Sequence, residues 1–144
     1  MNKKELAQAY FQRGFNCSQS VLTAYSADFS LDQDLALRVA GSFGGGIGRR
    51  GETCGAVSGA LMVLGLKYGA VDPQDKDGKE KAYQQARDFM QRFETLHGTV
   101  RCNDLLGVDI GTPDGLALAR AENRFKQRCP IFVGDAAEIL EDFL

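Results

Sequence analysis

Four cysteines, Cys17, Cys54, Cys102 and Cys129, are the residues of this chain best suited to chemistry. They share a recurring local setting. Arg13-Gly14-Phe15-Asn16-Cys17-Ser18 aligns with Arg50-Gly51-Glu52-Thr53-Cys54-Gly55, and Arg101-Cys102-Asn103 resembles Arg128-Cys129-Pro130. In the first pair an Arg-Gly turn leads to a capping side chain, Asn16 or Thr53, and sets the cysteine at the first helical position. A sulfur there faces unpaired backbone N–H groups and the positive end of the helix dipole, which favour thiolate. A nearby guanidinium, from Arg13, Arg50, Arg101 or Arg128, acts in the same direction. A cysteine kept only for packing belongs mid-helix on an apolar face and needs no arginine. Lowered thiol pKa values are therefore expected at Cys17 and Cys54.

Thiolates in this setting support two chemistries. No Cys-x-x-Cys spacing is present, which excludes zinc-ribbon, thioredoxin-like and c-type haem signatures. Ligands can still converge from separate helices. Cys17, Cys54, Cys102 and Cys129 together would form a thiolate-only metal site, suited to an iron–sulfur cluster or zinc and not to magnesium or calcium. The function is then electron transfer or redox sensing. Alternatively, Cys17 and Cys54 are the catalytic pair of a dithiol–disulfide protein, with the other two resolving or relaying. A third reading is a non-enzymatic helical adaptor in which the cysteines are incidental. An oxidoreductase and an electron-transfer protein both remain open.

The remaining candidates are weaker. The loop Gly41–Gly51 carries Arg49 and Arg50 and could cradle a phosphate through backbone N–H groups. It lacks Gly-Lys-Ser/Thr, and no strand precedes it. Its glycines also serve a tight bend beside Cys54. His97, the single histidine, adjoins Gly98 at a helix end, where it answers the helix dipole. Asp72, Asp75 and Asp77 alternate as in a calcium loop but lack the closing glutamate, and read as a solvated turn.

The elements that must position the cysteines are helical. Leu6, Ala9, Tyr10 and Phe11 form the apolar face of a first helix that Gly14 can end. Asn16 with Gln19 makes a capping box for a second helix through Val21, Leu22 and Tyr25. Ser30 or Asp32 caps a third through Leu35, Val39 and Ala40. From Cys54 to Tyr68 the residues are small or apolar all round, the mark of a buried helix. Gly55 and Gly59, with Ala56 and Ala60, leave one smooth stripe on it for a neighbouring backbone. A long polar helix runs from Lys79 to Leu96 with Tyr83, Ala86, Phe89, Met90 and Phe93 facing the core. A short turn at Cys102–Leu106, a helix from Pro113 to Phe125 and a last one from Asp135 to Phe143 complete the chain. The expected fold is all-α, a single compact bundle-like domain over residues 1–144 with five to seven helices.

Composition sets the outer bounds. A chain of 144 residues suits one domain, which buries roughly 70% of its unfolded surface and needs no disulfides. Lys and Arg number 17 against 19 for Asp and Glu, a balance that argues against a nucleic-acid surface. No apolar run is long enough to span a bilayer, and the start of the chain lacks an export signal. A cytoplasmic location is expected, where cysteines serve as ligands or reactive thiols. The redox partner is not legible, and a homodimer is among the assemblies the sequence allows.

At Cys54-Gly55-Ala56-Val57-Ser58-Gly59 the chain resembles the C_GCAxxG_C_C family of redox-active proteins. Members carry one early cysteine, a Cys-Gly-Ala-x-x-Gly motif and two later single cysteines. Those places are filled here by Cys17, Cys54 through Gly59, Cys102 and Cys129. The glycine-rich Phe43–Gly46 and the apolar Leu61–Leu66 fit as well. The resemblance implies redox activity. The related split-Soret cytochromes c join a similar domain to haem and an iron–sulfur centre. This chain has no haem c attachment motif, so only the cluster carries over by analogy.

Overall fold

A computed structural model describes residues 1–144. It contains eight helices and no strand: α1 (Lys3–Gln12), α2 (Cys17–Ser26), α3 (Gln33–Val39), α4 (Gly55–Tyr68), α5 (Lys76–His97), α6 (Cys102–Leu106), α7 (Pro113–Ala121) and α8 (Arg124–Leu140). Seven of them have seven residues or more, and α6 is the short turn expected at Cys102.

Helix starts follow their capping chemistry. Asn16 accepts from the Gln19 amide at 2.9 Å while the Gln19 side chain accepts from the Asn16 amide at 3.0 Å, closing the capping box. Asp32 caps α3, Asp75 caps α5 and Thr112 caps α7. Asp75 is thus a helix cap, and Asp72 and Asp77 stand in solvent beside it. Gly98 closes α5 in the left-handed conformation, next to His97.

Helix α2 is the centre of the fold. Every residue from Cys17 to Ser26 except Gln19 is buried, and α1, α4 and α8 pack around it. The smooth stripe on α4 explains how closely the two helices meet. A Cβ on Gly59 would stand 2.7 Å from the Ser18 carbonyl oxygen, and one on Gly55 3.0 Å from the Cys17 Cβ. On the other side of α2, Tyr25 is fully buried and its hydroxyl donates to the Ala137 carbonyl of α8 at 2.9 Å. Ala56, Val57, Ala60, Val63 and Leu64 make α4 the buried helix its composition implies. Each such valine or leucine contributes about 1.5–3 kcal/mol through removal from water.

Three helical faces differ from expectation. Leu35 and Val39 are about half exposed, and Ala36 is the buried residue of α3. Tyr83 is half exposed beneath Lys79, leaving Phe89 and Phe93 as the buried residues of α5. The last helix begins at Arg124, after a break at left-handed Asn123, and runs through Pro130. A proline inside a helix removes the bond to the carbonyl four residues earlier. That carbonyl belongs to Lys126, an exposed residue. Cys129 is consequently a mid-helix residue rather than a loop one.

The glycine-rich segment is a left-handed turn. Gly45, Gly46, Ile47, Gly48 and Arg49 all have φ between 60° and 68°. L-residues lose about 1–2 kcal/mol each in that conformation, so three of the five being glycine follows from sterics. The two that are not, Ile47 and Arg49, are exposed.

Candidate functional site

The four cysteines converge. Cys17 opens α2 and Cys102 opens α6; Cys54 is the residue preceding α4, and Cys129 lies in the second turn of α8. All four are buried free thiols, and all four line one cavity of about 490 Å³. Nothing local brings them together, since each comes from a different helix.

Two pairings organise the cluster. Cys54 and Cys102 are set by the chain's single β-bridge, Thr53 with Arg101. The Cys54 amide donates to the Val100 carbonyl at 2.8 Å, and the Cys102 amide to the Glu52 carbonyl at 2.6 Å. Thr53 is therefore a bridge residue, not the cap expected of it, and Cys54 itself occupies the N-cap position. Cys17 and Cys129 form the second pair, near enough that each thiol moves the other's proton.

Burial decides the thiol chemistry. Cys54 is pushed up from 9.0 to about 12 by desolvation, against the opposing pull of the Ala56 and Val57 amides at the start of α4. Cys102 is likewise raised to about 12 by burial and then by the neighbouring thiols, with Arg101 a smaller opposing influence. Within the coupled pair the first proton leaves more readily, from Cys129, because the Cys17 thiol hydrogen-bonds the resulting thiolate. Cys17 then holds its own proton well above the ordinary value, through that same bond and burial. The lowered values expected at Cys17 and Cys54 are thus reversed. At Cys54 the amides that open α4 do pull the value down, but the water the sulfur lost outweighs them.

The arginines of the sequence repeat stand elsewhere. Arg13 lies over the rings of Tyr10 and Phe15. Arg50 is exposed, 3.7 Å from Glu52, and Arg101 pairs at the surface with Asp104. Arg128 donates to the carbonyls of Leu105 at 3.2 Å and Leu106 at 2.7 Å. Arg124 adds bonds to Leu106 and Gly107. These two guanidinium groups fasten the carbonyl end of α6 to α8, and so hold Cys102 near Cys129. Their effect on the thiols is positional.

Other residues complete the site. Gly46 has left-handed φ, and a Cβ there would stand 2.7 Å from the Cys102 Cβ and 2.5 Å from the Glu52 amide nitrogen. Asn103, buried beside Cys102, accepts from the Ile110 amide at 2.9 Å and donates to Asp109 at 3.0 Å. Phe11, Arg49, Arg120, Phe125 and Phe132 also line the cavity. Of these, Arg49 was legible within its glycine-rich loop, whereas Arg120 and the phenylalanines carry no sequence signal beyond helical spacing. His97 lies outside the site, packed against Phe93 and Phe132 with Nε2 2.9 Å from Asp135.

The donor set is four soft thiols, the set that suits iron–sulfur ligation. No three Cys, His, Asp or Glu side chains are arranged to hold a metal ion.

A family model described as "Putative redox-active protein (C_GCAxxG_C_C)" matches residues 15–143, a span that takes in all four cysteines. The chain belongs to that family. No curated protein and no solved structure matches it. No helix is long and apolar enough to cross a membrane.

Proposed function

We propose, with membership of this redox-active family as the premise, that the chain transfers or senses electrons through an iron–sulfur cluster held by Cys17, Cys54, Cys102 and Cys129. The observation that carries the reading is the convergence of four thiols from four helices on one cavity. Helices pack readily without placing cysteines together, so their convergence needs a chemical reason. Burial that holds Cys54 and Cys102 protonated on their own is also what a bound cation reverses, because a coordinating thiol gives up its proton outright. Once bound, the cluster supplies a one-electron couple. The chain's own part is to fix the two thiol pairs, exclude water and carry no carboxylate on the cavity wall. A cytoplasmic location agrees with four free thiols.

Anaerobic purification followed by an absorbance scan with iron and sulfide assays tests this reading. Visible charge-transfer bands with matching iron and sulfide, lost in a Cys54→Ser chain, support it. A colourless chain that cannot be reconstituted with iron and sulfide overturns it.

One observation favours a second reading, dithiol–disulfide chemistry. The Cys17 and Cys129 thiols line one cavity and bear on each other, so that Cys129 ionises ahead of Cys17. Under this reading the pair is Cys17 with Cys129, in place of Cys17 with Cys54. Oxidation would remove two protons and two electrons to an added disulfide oxidant and join the two sulfurs. Peptide mapping that finds this crosslink, with Cys54 and Cys102 still free, identifies it.

A further inference from the structure

The cavity extends beyond its sulfurs, and its remaining wall has a definite character. Arg49 and Arg120 are the only charged residues that line it, and no aspartate or glutamate does. Both arginines are exposed, and neither forms an ion pair or a side-chain hydrogen bond. The other arginines near the site are engaged: Arg50 with Glu52, Arg101 with Asp104, Arg124 with Glu122, and Arg128 with backbone carbonyls. Two unpaired guanidinium groups on the rim of one cavity give it a net positive mouth. Phe11, Phe125 and Phe132 supply an apolar part of the same wall, which also carries the four thiols.

The chain also invests in placing Arg49. The residue is left-handed, with φ 65°, a conformation that glycine would adopt without cost. Its stem folds back over Gly45, where a Cβ would come within 2.7 Å of the Arg49 Cγ. Gly45 thus keeps open the space that the Arg49 side chain crosses on its way to the rim.

We propose that this cavity binds a small organic anion, its charged group held at the rim by Arg49 and Arg120 and its apolar body directed inward along Phe11, Phe125 and Phe132 toward the four thiols. Guanidinium groups recognise carboxylate and phosphate through paired N–H donors, and the volume falls within the range of small-ligand sites. The binding does not rest on the redox reading, because the arginines and phenylalanines are in place whether or not the thiols hold metal. It names the class of molecule that would be presented to them.

The test is a titration of the reduced, metal-free chain with phenyl phosphate and, separately, with inorganic phosphate, followed by backbone amide NMR. Saturable shifts at Gly44 through Arg49 and at Phe125 are expected, with inorganic phosphate binding more weakly for want of an apolar body. Arg49→Gln and Arg120→Gln should each weaken phenyl phosphate by about tenfold. Arg38→Gln, which removes another exposed arginine outside the cavity, should change nothing. The chain titrated holds no metal, so a failure of the cluster reading leaves this result standing. Non-saturable shifts, shifts confined to other surfaces, or equal affinity in the three arginine variants would overturn the proposal. Equal affinity for the two probes would overturn the inward placement of the apolar body.

Discussion

Thr53 pairs with Arg101 in the one β-bridge of the chain, and this pairing sets Cys54 beside Cys102. Side chains alternate across an extended backbone, so residues one step past each partner share a face. Cys54 and Cys102 occupy those two steps. Their amides are tied to Val100 and Glu52, which fixes both backbones before either helix begins. A helical protein thus uses two extended residues to place half of its reactive site.

The bridge depends on the glycine turn that precedes it. Gly46 lies where any Cβ would strike the Glu52 amide and the Cys102 side chain, in a left-handed conformation. Gly46→Ala is expected to destabilise the chain by about 2–4 kcal/mol, combining overpacking with backbone strain. Urea denaturation gives the loss. Faster alkylation of Cys102 than of Cys17 in the variant would locate the disturbance at the bridge.

Thiol ionisation makes an alkaline prediction. Cys54 and Cys102 hold their protons to about 12 in the folded chain, against an ordinary value of 9.0. Above pH 9 the unfolded chain releases protons that the folded chain keeps. The unfolded state then binds fewer protons, so stability falls as pH rises between about 9 and 12. Each thiol should lose about 1 kcal/mol of its contribution by pH ~10. Urea midpoints of the metal-free chain measured from pH 7 to 10.5 should decline, and Cys54→Ser should flatten the decline. Alkylation midpoints near 9 for both cysteines would contradict the burial argument.

Helices were legible where a cap and a periodic face agree, as at Asn16 with Gln19 and in the all-apolar run of α4. The four cysteines were legible as a group because they share an arginine neighbour. Their convergence was not, because it depends on long-range packing of α2, α4, α6 and α8 that no local pattern encodes. The same limit applies to the arginines. A guanidinium next to a cysteine in sequence looks like a partner for its thiolate, yet a helix turns successive side chains about 100° apart. Arg128 therefore points to α6 while Cys129 faces the cavity. The start of the last helix was not legible either: it was expected at Asp135, and it begins at Arg124 and continues through Pro130.

The coupled pair predicts which thiol reacts first. Cys129 has the lowered pKa and Cys17 the raised one, each because of the other. At pH 8 iodoacetamide should label Cys129 ahead of the other three cysteines. Cys17→Ala removes the donor and leaves Cys129 with its desolvation alone. Its labelling should slow, because less of the sulfur is then thiolate at that pH. Mass spectrometry of timed digests reads both rates. Equal labelling of all four thiols in the unsubstituted chain would show that the pair does not share a proton.

The sharpest contrast lies between two arginines that the sequence presents alike. Arg50 is 76% exposed and stands 3.7 Å from a half-exposed Glu52. Exposed pairs of that kind contribute about 0–1 kcal/mol. Arg128 instead donates to two carbonyls at the end of α6, at 2.7 and 3.2 Å. Both are carbonyls a short helix cannot satisfy within itself. Charged hydrogen bonds are the stronger class, and Arg128→Ala should cost about 2–3 kcal/mol. Arg50→Ala should cost at most about 0.5 kcal/mol. The consequences for the site should diverge as well. Loss of Arg128 leaves α6 tied to α8 by Arg124 alone among the guanidinium groups, so Cys102 becomes more accessible. Arg50→Ala should leave that accessibility unchanged. Thermal melts paired with Cys102 alkylation rates separate the cases. Equal effects of the two substitutions would mean that Arg124 and the apolar contacts of Leu105 and Leu106 suffice to hold α6 against α8.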